Sequence, residues 1–308
     1  MSQPIKSPPE ECDSRPPAAW LRSLARLPLA ALYRLTALIM WILRHVFRFR
    51  VAVARANLRR SFPERRAEEI ETLLDQYYRN LSQVAAEFIK MAGLSADELR
   101  SHMSMHNVER VAAETGAGRS VLLLGAHQCN WEWTLQACVL FLGVPIEAGY
   151  KPLHSARFDR ELRKMRCRFG GHLIAAKKLV REVVRRRGAL HGVALHADQV
   201  PASSGRRQWL EFLGQPTPFY PGPAEIARLT GYAAFFIPMR RVARGHYELD
   251  CVPICAAGER LDTATFTARY AGLVEAMIRA NPADWTWIHR RWKIAPPAQL
   301  PAAEAIEE

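Results

Sequence analysis

The stretch VLLLGAHQCNWEW, Val121 to Trp133, decides the fold. Val121–Ala126 is an unbroken apolar run of strand length, as in a parallel strand covered on both faces. Trp131–Leu142 then reads as a helix closed by Gly143. A strand that passes through a short turn into a helix is the repeating unit of an α/β chain. His127 stands in that turn, Asn130 follows it, and Glu132 falls in the first helical turn. On spacing alone three readings of the His and the Glu stay open: a catalytic pair, half of a metal site, or two ordinary turn residues.

Working outward, the same alternation continues toward the C-terminus. Pro145–Tyr150 reads as a strand, Ser155–Phe169 and Ala175–Arg187 as helices, and Leu190–Ala197 as a third strand. Pro223–Thr230 is a helix with Pro at its start and Gly231 after it. Ala233–Arg240 and His246–Pro253 read as paired strands around Gly245, and Asp262–Ala280 as a helix ended by Asn281-Pro282. Toward the N-terminus, Glu64–Met91 carries Ile70, Leu73, Leu74, Tyr77, Leu81, Val84 and Phe88 at helical spacing. A helix begins at Ser95, where Glu98 completes a capping box, and Asn107–Thr115 is helical up to Gly116. The expected fold is α/β, with a mainly parallel central sheet flanked by helices and an N-terminal membrane-associated helix.

In such sheets ligands bind beyond the carboxyl ends of the strands. His127 follows the first strand, Tyr150 and Lys151 close the second, and Asp198 with Gln199 follows the third. These chemically capable residues are therefore expected at one edge of the sheet. A carboxylate bonded to one imidazole nitrogen fixes the tautomer and stabilises the imidazolium, and Glu132 is the expected partner of His127. A Cys129 nucleophile is disfavoured, because a buried Cys acts as a small hydrophobe. No H-E-x-x-H is present, and His191 and His196 point to opposite faces of their strand, so no metal site is expected.

The 308 residues are 49% hydrophobic and 24% charged, a globular composition. With 43 Lys plus Arg against 30 Asp plus Glu, the net charge of +13 calls for an anionic partner. The six cysteines, Cys12, Cys129, Cys138, Cys167, Cys251 and Cys255, show no paired spacing and read as free thiols of a reducing compartment. Residues 1–17 and 297–308 read as disordered tails, and 18–60 as an anchoring helix with a basic stretch. Leu27–Val46 is long enough to span a bilayer, but Arg34 lies mid-segment, where a charge costs about 2.5–3.5 kcal/mol. No small-residue cleavage site follows, so it is not read as a signal peptide. Eight arginines follow between Arg44 and Arg66. An apolar helix beside such a stretch suits the cytoplasmic face of an anionic membrane, the alternative being a core helix among solvated arginines.

A second basic surface is expected from Arg163, Lys164, Arg166 and Arg168 with Lys177, Lys178, Arg181, Arg185, Arg186 and Arg187. It would receive an acidic carrier protein or lipid phosphates, or be a solvated face. Aromatics do not interleave with it as on base-stacking platforms, so nucleic acid is disfavoured.

GAHQCNWEW, GYKP (Gly149–Pro152), HADQ (His196–Gln199), WTWIHRRWK (Trp285–Lys293) and RANLRRSFPE (Arg55–Glu64) together resemble the late acyltransferases of lipid A biosynthesis, within the lysophospholipid-acyltransferase-like superfamily. The likeness covers roughly residues 20–295, with 61–296 as the acyltransferase domain. It departs at Ala175-Ala176, where relatives often carry Arg, and at Leu153, where they often carry Asn. The resemblance implies a membrane-bound enzyme on the cytoplasmic face of the bacterial inner membrane. Such an enzyme moves a fatty acyl chain from acyl carrier protein to a hydroxyl of a glycolipid, with no cofactor. It further implies His127 as general base with Glu132 as its partner, and substrate contacts from Asn130, Tyr150, Lys151, Asp198, Gln199 and Arg290. Two other functions remain open on the sequence: the same chemistry on a lysophospholipid or another hydroxylated lipid, and a non-catalytic membrane-surface protein.

Overall fold

The computed structural model describes residues 15–201 and 205–297. The expected disordered tails therefore lie outside the described residues, apart from residues 15–17 and 297. Two helices, α1 (Ala19–Ala25) and α2 (Leu29–His45), open the described chain and meet at 106°. Pro28 stands at the corner, where its missing N–H cannot continue the helix before it. The expected apolar helix over Leu27–Val46 is thus 17 residues long, about 26 Å at 1.5 Å per residue. No single helix among the described residues is long and apolar enough to cross a membrane. Instead α2 is two-faced. Leu32, Tyr33 and Thr36 are buried against α4 (Ala67–Met91), whereas Leu35, Leu38, Ile39 and Trp41 are exposed.

Between them, α3 (Val51–Ser61) carries the basic stretch and buries Ala54, Asn57 and Leu58. Next come α5 (Ala96–Ser101), capped as expected by Ser95 and Glu98, and then β1 (Met103–His106) and α6 (Val108–Gly116). The alternating half follows: β2 (Val121–Gly125), α7 (Trp131–Phe141), β3 (Ile146–Tyr150), α8 (Ala156–Cys167), β4 (His172–Ala175), α9 (Leu179–Arg185) and β5 (Gly192–His196). A hairpin of β6 (Gln208–Phe212) and β7 (Gln215–Phe219) precedes α10 (Gly222–Thr230) and β8 (Ala233–Phe236). The chain continues through β9 (Met239–Ala243), β10 (His246–Asp250), β11 (Val252–Cys255), α11 (Thr263–Ala280) and a 3-10 turn at Pro282–Asp284.

The central sheet has six strands in the order β11-β8-β2-β5-β3-β4, all parallel except β11 against β8. β2 lies in its middle and every residue of it is buried. Its side chains alternate between two cores. Leu122 and Leu124 join Val193, Ala234 and Phe236 toward α4, α10 and α11. Val121 and Leu123 join Ala233 and Phe235 toward Trp133, Leu162 and Met165 of α7 and α8.

Several elements differ from expectation. The pair Ala233–Arg240 and His246–Pro253 is broken in both strands, so that β8 and β11 stay in the central sheet while β9 and β10 form a second sheet with β1. Pro238, which has no donor for a ladder, marks the break. Ala175–Arg187 is not one helix: β4 ends at Ala175 and α9 begins at Leu179. The β6–β7 hairpin is new, its turn made by Leu213 and Gly214 with φ of 53° and 68°. Prolines at 216 and 218 hide that strand from sequence reading. Cys129, Cys138, Cys251 and Cys255 are free and buried, whereas Cys167 is disulfide-bonded, which corrects the expectation of free thiols throughout.

Candidate active site

β2 and β5 are neighbours in register, with Gly125 opposite His196. The residues just beyond their ends therefore meet. His127 Nδ1 lies 2.6 Å from Asp198 Oδ1, and the His127 backbone N–H donates to Asp198 Oδ2 at 2.9 Å. Trp285 Nε1 donates to the same Oδ2 at 2.8 Å. Asp198 is 1% exposed and His127 20%, so the carboxylate is sealed and the ring is reachable. A carboxylate can only accept, which puts the neutral ring's proton on Nδ1 and its lone pair on Nε2. Nε2 has no hydrogen-bond partner among the described residues.

The turn itself is pinned by the C-terminal segment. Thr286 donates to the His127 carbonyl through its backbone N–H at 3.1 Å and its hydroxyl at 2.7 Å. Cys129 N–H donates to the Asp284 carbonyl at 2.9 Å, and Cys129 itself has φ of 50°. A non-glycine residue in that region is strained and persists because its surroundings over-determine it. Burial pushes the Cys129 thiol well above its ordinary value, so it is no nucleophile at neutral pH.

Glu132 does not orient His127. Arg166 of α8 holds both its carboxylate oxygens, Nε to Oε2 at 2.8 Å and Nη2 to Oε1 at 2.6 Å. Burial alone would raise the Glu132 carboxyl, but the charge and hydrogen bonds of Arg166 outweigh it and hold it below its ordinary value. The carboxylate bonded to the histidine is instead Asp198, which the family resemblance places among the substrate contacts. The reason is the fold: adjacent parallel strands bring residues 127 and 198 together, whereas the helix turns Glu132 toward α8. His196 lies between the two acids, its ring 4.8 Å from that of His127. Burial, with the His127 charge, pushes His196 down to about 3, so its imidazole is neutral at physiological pH. His191 is buried elsewhere, 5.8 Å from the Tyr232 ring.

Of the expected substrate contacts, Asn130 is fully buried and donates to Glu87 at 2.9 Å, which makes it part of the wall. Tyr150 is buried at the end of β3, Lys151 beside it is exposed, and Gln199 is half-buried next to Asp198. Arg290 is exposed and faces α3 across a groove. Nothing in the sequence marks Trp285 within its motif as a partner of Asp198, and Arg166 reads there as surface charge. Nor does the sequence assign a role to Arg291, which is fully buried with its guanidinium 4.6 Å from the Phe219 ring centre. Burial lowers Arg291 to about 10, against the opposing charge of Asp198, so it remains a cation behind that carboxylate at neutral pH.

The expected basic surface is mostly engaged. Arg163 pairs with Asp159, Lys164 with Glu161, Arg166 with Glu132 and Arg186 with Glu147, and Arg168 donates to the Met91 carbonyl. Arg181 and Arg185 reach Glu182, whereas Lys177, Lys178 and Arg187 are exposed.

Residues 17–294 match the family of bacterial lipid A biosynthesis acyltransferases. The chain belongs to this family. It is 26% identical over 276 residues to the lipid A biosynthesis palmitoleoyltransferase of Escherichia coli K12, and equally so to a lipid A biosynthesis acyltransferase of Shigella flexneri. Each alignment covers 88% of this chain and 88% of its relative. In this acyltransferase the matched region takes in both halves of the His127–Asp198 pair and the Trp285 segment that closes over it.

Proposed function

We propose that this chain transfers a fatty acyl group from the thioester of an acyl carrier protein to a hydroxyl of a lipid A precursor. The reaction takes place at the cytoplasmic face of the bacterial inner membrane. The observation that carries the reading is the 2.6 Å contact between His127 Nδ1 and the sealed Asp198 carboxylate, which leaves Nε2 as an accessible base. A thioester is already activated, so a base suffices and no covalent enzyme intermediate is needed. Nε2 takes the acceptor's hydroxyl proton as that oxygen bonds to the thioester carbon. The C–S bond then breaks, and the carrier thiol leaves with the proton returned from the imidazolium. Asp198 stabilises the imidazolium meanwhile, with the Trp285 N–H holding the carboxylate in place and the Arg291 charge behind it.

The oxyanion of the tetrahedral intermediate needs donors. The backbone N–H groups of Trp131 and Glu132, in the first turn of α7, have no partner among the described residues and are available for it. Glu132, held by Arg166, keeps α7 against α8 at that end. Tyr150, Lys151, Gln199 and Arg290 serve as substrate contacts around the strand ends. The exposed Lys177, Lys178 and Arg187 give the acidic carrier protein a landing surface. Membrane attachment is supported by the exposed apolar run of Leu38, Ile39, Trp41, Val46 and Phe47 beside the arginines of α3.

The test is acyl transfer by wild type and His127→Ala, with acyl carrier protein as donor and lipid A precursor or lysophospholipid as acceptor, products read by mass. The expected result is transfer to the lipid A precursor that falls about 10²–10⁴-fold in the variant. Transfer to lysophospholipid alone would change the acceptor. Equal transfer by both proteins would remove His127 from the chemistry.

A further inference from the structure

A groove of about 330 Å³ runs between α3 and residues 290–293. Ala52, Val53, Ala56 and the Trp292 ring give it an apolar wall, and three cations line it: Arg60, Arg290 and Lys293. No carboxylate lines it. Elsewhere in the basic stretch Arg44 pairs with Asp75 and Arg55 holds Glu71 through bonds of 2.5 and 2.9 Å. Arg60 instead donates to Asn57 Oδ1 at 3.0 Å and stacks 5.7 Å from the Trp292 ring centre. Arg290 and Lys293 have no ion pair among the described residues. Three like charges lining one groove repel each other unless an anion enters. The wall beside them asks that the anion be attached to something apolar.

The groove's place in the fold says which molecule that is. Asn57, in its lining, donates to the carbonyls of Trp287 and His289 at 2.8 and 2.9 Å. The His289 ring accepts from the backbone N–H of Val200 at 3.2 Å, two residues past Asp198. At the other end, α3 starts from the loop with Val46, Phe47 and Phe49 exposed, and Arg50 donates to the Ile288 carbonyl at 3.1 Å. The groove therefore lies between the apolar surface and the His127–Asp198 pair.

We infer that this groove seats a phosphate group of the acceptor lipid among Arg60, Arg290 and Lys293, with the apolar part of that lipid against Trp292 and α3. The inference rests on the acyltransferase reading and adds which part of the acceptor is held, and where. An acceptor anchored there by its phosphate presents its hydroxyl from the side of the membrane surface, while the carrier protein approaches over α8 and α9.

The test compares wild type with Arg60→Gln/Lys293→Gln, both at exposed side chains, with a thermal melt to check the variant's fold. Binding in neutral detergent is measured for a diacylated sugar lipid carrying one phosphomonoester and for the same lipid after phosphatase treatment. The expected result is about tenfold weaker binding of the phosphorylated lipid by the variant, with the dephosphorylated lipid bound equally weakly by both proteins. Equal binding of the phosphorylated lipid by both proteins would overturn the inference. So would phosphatidylglycerol competing as well as the sugar lipid does, because the groove would then hold bulk bilayer lipid. Binding does not require turnover, so inactivity in the transfer assay would sink the acyltransferase reading while this result still judged the groove. Where transfer is seen, the variant raises KM for the phosphorylated acceptor about tenfold and leaves KM for the carrier protein unchanged.

Discussion

Asp198 holds the ring proposed as the base, and its own ionisation follows from that contact. Burial would raise its carboxyl, but the charge and the two hydrogen bonds of His127, helped by His196, hold it well below the usual carboxylate range. A carboxyl so lowered contributes stability that is complete above its unfolded value of about 3.9 and is lost as the pH falls through the folded value. Asp198→Asn is therefore expected to unfold at lower urea than wild type at pH 7, the gap narrowing below about pH 4; urea melts at both pH values check it. The same variant should lose about 10²–10⁴-fold in kcat, since an amide can donate to Nδ1 and turn the tautomer around. Glu132 behaves differently. Glu132→Gln leaves Arg166 buried without its counter-charge and should cost about 3–5 kcal/mol of stability. A double-mutant cycle with Arg166→Gln should recover part of that loss. Purely additive effects would mean that the pair is not coupled.

Among the elements, α2 shows most clearly what periodicity can and cannot reveal. Its apolar length is plain in the sequence, but its two faces come from packing: Tyr33 turns inward to Glu87 at 2.8 Å, and Leu38 and Trp41 turn outward. Leu38→Glu/Trp41→Glu should bind phosphatidylglycerol vesicles at least about tenfold less well, with a melting temperature within about 2 °C of wild type. Sedimentation with vesicles and a thermal melt decide it. Glu87 of α4 also accepts from Tyr247 of β10 at 2.6 Å and from Asn130 at the start of α7 at 2.9 Å. One buried carboxylate thus ties the apolar helix, the second sheet and the turn that carries His127 together. Glu87→Ala orphans three donors, at about 1–3 kcal/mol each, and should lower the melting temperature by at least about 6 °C. Elements with a strong apolar period, such as α4, β2 and α11, were legible in the sequence. The β6–β7 hairpin and β1 were not, because prolines mask the one and the other is four residues long.

For the whole molecule, the chain's own order of strands and helices determined an α/β fold and the edge at which its chemistry gathers. A parallel strand must end where its helix begins, and that leaves His127, Tyr150 and Asp198 on one side. The sequence by itself also determined the family, through short motifs in a set order. It could not determine who pairs with whom. Glu132 is five residues from His127 along the chain and Asp198 is seventy-one, yet the neighbouring register of β2 and β5 gives the histidine to Asp198 and leaves Glu132 to Arg166. The tertiary structure alone decided that pairing, the closure by Trp285, and the groove where α3 meets residues 290–293. Each is made by groups far apart in sequence, and a period of 2 or 3.6 residues records which face a side chain takes but not which neighbour that face will meet.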